Sequence, residues 1–314
     1  MKVSRDKKDA ANTMSRTGRK TSDRLQDRSA IFPMQRAYDQ ERDKTVAQAK
    51  RMFKGSLTQD TDMKQRAQLL KLLESRADDI TNKMREIMKT TTREATTEGM
   101  RHVQKSLSLF FKKATILDDP TEFAKLRRVI EKRLSKDREE YLKDFAYAFN
   151  KDLRFRLIDR PDNLDPQVRD MVEAVEPILD SNWWRIERMA RTETSMAYNM
   201  AIQAAIEAVS KDFKIKIWLR WCELIDESTQ VPLDDRVCGD SMVMHGQVAL
   251  PGKSFTMPKL SLREFDAEAA RYQGQSWSCP PNRPNDRAVL SLWVPETGLM
   301  AYVVRNGKRV YLNP

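Results

Sequence analysis

The stretch Arg188-Met189-Ala190-Arg191-Thr192-Glu193-Thr194-Ser195-Met196-Ala197-Tyr198-Asn199 decides how the chain is read, because helical sequence gives way to strand sequence just after it. At 3.6 residues per turn, Ala190, Ala197, Ala201, Ala204 and Ala208 fall on one narrow face of small side chains. Such a face lets another element approach closely. Arg188, Thr192, Ser195 and Asn199, three or four apart, form a polar stripe beside it, and that stripe is expected to hold neighbouring loops by hydrogen bonds. Shortly afterwards the period changes. Ile215, Ile217, Leu219 and Trp221 alternate with Lys216, Trp218, Arg220 and Cys222, which predicts a half-buried strand.

Composition changes at the same place. Residues 1–210 hold three of the nine glycines, five of the thirteen prolines and no cysteine, whereas residues 211–314 hold the rest and four of the six tryptophans. Glycine and proline punctuate turns, so a long, mostly α-helical N-terminal part should precede a small mixed α+β domain. The expected fold class is therefore α+β. The expected division is a basic arm over 1–30, a helical domain over 31–180 and an α+β domain over 181–314.

Residues 1–30 carry nine Lys/Arg against four Asp and almost no large apolar residue, too little to offset the entropy of ordering. From 36 to 113 the pattern is helical, with Leu69, Leu70, Leu73, Ile80, Met84, Ile87 and Met88 spaced by three, four and seven. Thr90-Thr91-Thr92 and Gly99 predict a weak point there, with a break or kink. Leu107, Leu109, Phe110 and Phe111 form an apolar cluster before the turn at Asp118-Asp119-Pro120. A helix over 121–150 follows, with the stripe Phe123, Leu126, Ile130, Leu134, Tyr141, Phe145 and Phe149, which reads as a helix–helix seam. Residues 160–166 read as a loop, 167–176 as a helix ending near Pro177, and Asp180-Ser181-Asn182 as the start of the next helix. Further on, Ala288–Val294 is a strand candidate and Leu262–Tyr272 a helix candidate. Asn306-Gly307 between Val303-Val304 and Val310-Tyr311-Leu312 predicts a tight hairpin.

The formal net charge of the 314 residues is +11, and residues 1–210 hold +9 of it. An anionic partner such as double-stranded DNA suits that balance, as does a well-solvated helical protein. No apolar run approaches the roughly 18 residues of a membrane span, and the N-terminus lacks the apolar centre of a signal peptide, so the expectation is a protein made in a cytoplasm with no membrane partner. Three cysteines, an odd number, argue against a disulfide framework.

Arg191-Thr192-Glu193-Thr194, with Ala197 and Asn199 after it, resembles the signature helix of the phage Mu F-like head-morphogenesis family, the minor head proteins of tailed bacteriophages. The order of later pieces is similar to that family too: Trp218-Leu219-Arg220-Trp221, Asp234-Asp235-Arg236-Val237-Cys238, His245-Gly246-Gln247, and Pro280-Pro281-Asn282-Arg283-Pro284-Asn285-Asp286-Arg287. The resemblance covers about residues 185–295. It implies a minor capsid protein of the virion, at the portal vertex or capsid interior. Its partners would be the portal protein, the major capsid protein and packaged double-stranded DNA, and its role head assembly and genome packaging or delivery. It also implies a structural core of Arg191, Glu193, Asn199, Asp235, His245, Asn285 and Arg287, bracing loops without catalysis.

Two chemistries stand beside that reading. Cys222, Cys238, His245 and Cys279 would make a tetrahedral Cys3His zinc site, although Ser241 and Asp286-Arg287-Ala288 replace cysteines that relatives carry and no short knuckle is present. Their plain alternative is that buried free thiols belong to the core, with His245-Gly246 a turn whose imidazole bonds a loop carbonyl. Asp226, Asp234, Asp235 and Asp240 invite a metal-dependent nuclease or effector enzyme, against which acidic turn residues usually cap or pair locally. A sequence-independent DNA-binding protein is the remaining alternative. The expectation is no enzyme and no obligate cofactor.

Overall fold

The computed structural model describes residues 18–52, 63–108, 115–159, 175–225, 231–233, 237, 239–259, 272–281, 286–293 and 299–312. The fold is α+β: helices over 18–212, then small antiparallel sheets. Helical residues 18–24 continue through a π-helical stretch, Leu25–Ile31, into α1 (Phe32–Met52). Then come α2 (Met63–Ser108), a 3-10 turn at Ile116–Asp118, α3 (Pro120–Arg154), α4 (Val175–Asp180) and α5 (Trp183–Asp212). The remainder is β1 (Trp218–Cys222), α6 (Gly239–Met244), β2 (Val248–Ala249), β3 (Phe255–Thr256), β4 (Ser276–Trp277), β5 (Val289–Trp293), β6 (Ala301–Arg305) and β7 (Lys308–Leu312). The contacts group into two compact units, each discontinuous in sequence: 28–90 with 135–190, and 1–27 with 91–134 and 191–314.

The first of these units is all helical. Its core joins Met34 and Tyr38 of α1 to Leu69, Leu73, Ile80 and Met84 of α2, and to Leu142, Phe145 and Phe149 of α3. The Tyr38 hydroxyl donates to the Leu179 carbonyl. Buried Glu41 receives Lys44 at 2.9 Å and Arg76 at 3.7 Å, together with Lys83, so one carboxylate holds three cations. Against the opposing effect of burial, Lys83 and Lys44 keep its pKa below the usual carboxylate range. Pro177 lies inside α4, not after a preceding helix as its ring suggested. At the third position of a helix its missing N–H forfeits no intrahelical bond. The loop expected at 160–166 lies outside the described residues, as does all of the helix expected over 167–176 but its last two positions.

The second unit holds the helix-to-strand transition. No break occurs at Thr90–Thr92 or Gly99, because α2 runs unbroken through both. Packing overrides the low helix propensity. Thr91, Thr92 and Thr96 are buried, and a Cβ placed on Gly99 would lie 2.5 Å from the Tyr198 carbonyl oxygen and 2.8 Å from the Ala201 Cβ. The small-residue face of α5 therefore does admit a close neighbour, and Gly99 is where the two backbones meet.

The central sheet has the order β2-β1-β5, all antiparallel, with Leu219 opposite Ala249 on one side and Leu292 on the other. The alternation expected of β1 fails in burial, since Leu219, Arg220, Trp221 and Cys222 are all buried. Both faces of this middle strand are covered, so its polar side chains must find partners inside. The Asn-Gly hairpin forms as its turn chemistry requires, with Asn306 at φ 51° and Gly307 at φ 75° between β6 and β7. The helix expected over 262–272 falls, except Tyr272, outside the described residues.

Candidate functional site

Of the residues singled out on α5, Arg188 is exposed, whereas those from Arg191 to Asn199 are buried or half-buried, and Arg191, Glu193 and Asn199 meet other segments of their own unit. Arg191 Nη1 pairs with Asp27 at 2.9 Å. Glu193, 3 % exposed, accepts from the Thr92 hydroxyl at 2.6 Å. Thr192 is half-buried, and Thr194 and Ser195 are buried. The polar stripe thus becomes internal bracing, with the threonines of α2 as its complement.

Asn199 does the most specific work. Its Nδ2 donates to the Ala288 carbonyl at 3.0 Å, and its Oδ1 accepts the Leu290 N–H at 2.8 Å. Among the described residues β5 pairs with β1 on one side only, and residues 288 and 290 present their C=O and N–H along the other. The carboxamide, carrying one donor and one acceptor, substitutes for the peptide of a further strand. A second donation to the Ser195 carbonyl at 3.0 Å fixes the rotamer. Gln247 repeats the device: it accepts the Thr256 N–H at 2.6 Å and donates to the Thr256 carbonyl at 2.8 Å.

Around β1 lies a second polar cluster. Arg220 is completely buried; its Nε donates to the Met300 carbonyl at 3.0 Å and its Nη2 lies 3.1 Å from His245 Nε2. His245 Nδ1 accepts the Glu223 N–H at 3.0 Å. The imidazole therefore meets a backbone N–H and a guanidinium. Burial, then the charges of Arg220, Arg19 and Arg309, push its pKa down to about 3, so the ring is neutral at neutral pH. The turn itself is as expected. Gly246 has φ +81°, and a Cβ there would come 3.1 Å from the Met300 carbonyl oxygen. Glu223 accepts from the Trp221 indole at 2.7 Å, and its own carbonyl receives Arg19.

At the closing segment, Asp286 Oδ1 accepts the Ala288 N–H at 3.0 Å, a local turn that presents Ala288 to Asn199. Arg287 Nε stands 3.7 Å from Asp23. Arg191, Glu193, Asn199, His245 and Arg287 thus lie in one unit, in two neighbourhoods, one along α5 and one around β1. Asp235 and Asn285 lie outside the described residues.

Of the residues considered for zinc, His245 is held at Nδ1 by the Glu223 N–H and has Arg220 beside its Nε2. Cys222 is buried with its Sγ 3.0 Å from the Ser291 hydroxyl, and Cys279 is a buried free thiol whose pKa burial raises to about 12. Cys238 lies outside the described residues, as do Asp226 and Asp234; Asp240 is buried at the start of α6. A groove of this unit, about 630 Å³, lies between α3 and α5 and is lined by Leu126, Ile130, Met200 and Ala204, with no residue of the two neighbourhoods.

Sequence reasoning did not find Asp27, Thr92, Glu223 or Asp286. Thr92 left a trace in the threonine run, where three β-branched polar residues inside a helix signal a buried polar contact. Asp27 and Glu223 left none. No family model matches the chain, and no curated protein or solved structure is significantly similar to it.

Proposed function

We propose that the chain is a minor head protein of a tailed bacteriophage, docking at the portal vertex or inner capsid shell and assisting head assembly and genome packaging or delivery. The role is structural and involves no turnover. The likeness of five sequence pieces, in order, to the Mu F-like head-morphogenesis pattern carries the reading. What supports it in the fold is the use made of those pieces: Arg191, Glu193, Asn199, Arg220, Gln247 and Arg287 each tie one segment of the unit to another. A signature that braces a framework suits a component that must keep its shape in an assembly. Among the described residues no helix is long and apolar enough to cross a membrane, which is compatible with a partner inside a capsid.

Removing the coding sequence from a phage that carries it tests the reading. Heads should then fail to form or fail to yield infectious particles, with rescue by the chain supplied in trans. Unchanged particle yield and infectivity would overturn the proposal.

A further inference from the structure

The solvent side of the second half of α3 carries a charge pattern that the bracing does not use. Within 135–154, Lys136, Lys143, Lys151 and Arg154 are all exposed, and among the described residues none of them makes an ion pair. At about 100° per residue, Lys136, Lys143 and Arg154 fall within about 20° of one line along the helix, and Lys151 lies about 60° from it. The ridge is about 27 Å long at 1.5 Å per residue. In its middle stands Tyr147, 71 % exposed, the most exposed large apolar side chain among the described residues.

A run of surface lysines is ordinarily a solvated face whose charges pair along the helix. Here the acids that pair are turned elsewhere: Glu139 binds Arg85 at 2.9 Å and Asp152 binds Arg156 at 3.2 Å. Glu140 interrupts the ridge and Asp144 flanks it, yet Lys136, one turn before Glu140, leaves it unpaired. Four uncompensated cations on a straight, stiff rod are complementary to a straight, stiff polyanion.

We propose that this ridge of α3 is a contact surface for the phosphate backbone of double-stranded DNA. The charge pattern favours a duplex over a single strand, because a flexible strand is held by several stacking aromatics and the ridge has only one. Lys136, Lys143, Lys151 and Arg154 contact phosphates, and the Tyr147 hydroxyl donates to another. Recognition is independent of base sequence. The proposal deepens the reading of the preceding subsection by giving the genome contact a place on this chain.

Fluorescence anisotropy of the full chain with a labelled duplex of mixed sequence, titrated at several salt concentrations, tests it. Each lost phosphate contact lowers the slope of log K against log salt by about 0.9. The K136Q/K143Q/K151Q/R154Q variant should therefore lose about 3.6 units of slope and at least about tenfold in affinity at low salt. E140Q, which removes the opposing charge, should bind more tightly than the parent. All these positions are exposed, so thermal melts should be unchanged, and they verify folding. The proposal is overturned if the parent binds no duplex, if the fourfold variant keeps the parent's slope, if a single strand binds more tightly than the duplex, or if polyglutamate competes as well as DNA. The measurement uses isolated protein, so it stands or falls separately from infectivity after deletion.

Discussion

Replacing Asn199 by alanine should be among the most damaging single changes in the unit that contains it. The substitution removes the acceptor of the Leu290 N–H and the donor to the Ala288 carbonyl, both at an edge of β5 covered by α5. Each buried backbone group left without a partner costs about 1–3 kcal/mol, so the expected loss for the two is about 2–6 kcal/mol. The bond to the Ser195 carbonyl adds little to this, because that oxygen keeps the i+4 bond of its helix. Asn199→Asp is the discriminating companion. It keeps an acceptor for Leu290 but turns a carboxylate oxygen toward the Ala288 carbonyl, so at neutral pH it should cost at least as much as alanine. Urea denaturation gives the stability change, and hydrogen exchange reports the site directly, because the Leu290 amide should lose its protection. An Asn199→Ala protein within about 0.5 kcal/mol of the parent, with Leu290 still protected, would refute the reasoning.

Gly99→Ala should destabilise by about 1–3 kcal/mol despite alanine's better helix propensity, since the new Cβ would clash with the Tyr198 carbonyl; a gain in melting temperature would contradict the close approach. His102 and His245 have pKa values lowered to about 4 and about 3, chiefly by burial, against about 6.5 in the unfolded chain. Their contribution is complete above about pH 6.5 and is lost as pH falls toward 4, at up to about 1.4 kcal/mol per pH unit for each ring. Stability measured at several pH values should fall across that window, with a shallower slope in the His102→Gln variant. Asp27→Asn removes an ion pair whose aspartate is 44 % exposed, so its cost should stay below about 1 kcal/mol in denaturant titrations.

Local chemistry was legible in the sequence wherever one segment determines it. The Asn306-Gly307 hairpin, the strand at 289–293, the seam helix of Phe145 and Phe149 and the close-packing face of α5 all follow from period and turn residues. What the sequence hid depends on partners far along the chain. Gly99 looks like a weak point until Tyr198 is placed against it, and the threonines near it look like helix breakers until Glu193 receives Thr92. Arg220 alternates correctly for a solvent-facing residue, yet both faces of β1 are covered and the guanidinium bonds inside. Nor does any local pattern announce that α2, α3 and α5 each contribute to both compact units. In the candidate site, Asn199 was identifiable as a polar residue on a packed stripe. Its two β5 contacts were not, because they are 89 and 91 residues away.

Quantitative mass spectrometry of purified particles is the sharpest test of the proposal that this framework is part of a phage head. That proposal predicts a few copies of the chain per head, retained in heads before and after DNA filling. Particles that lack it at both stages, with the protein left free in the lysate, would contradict it.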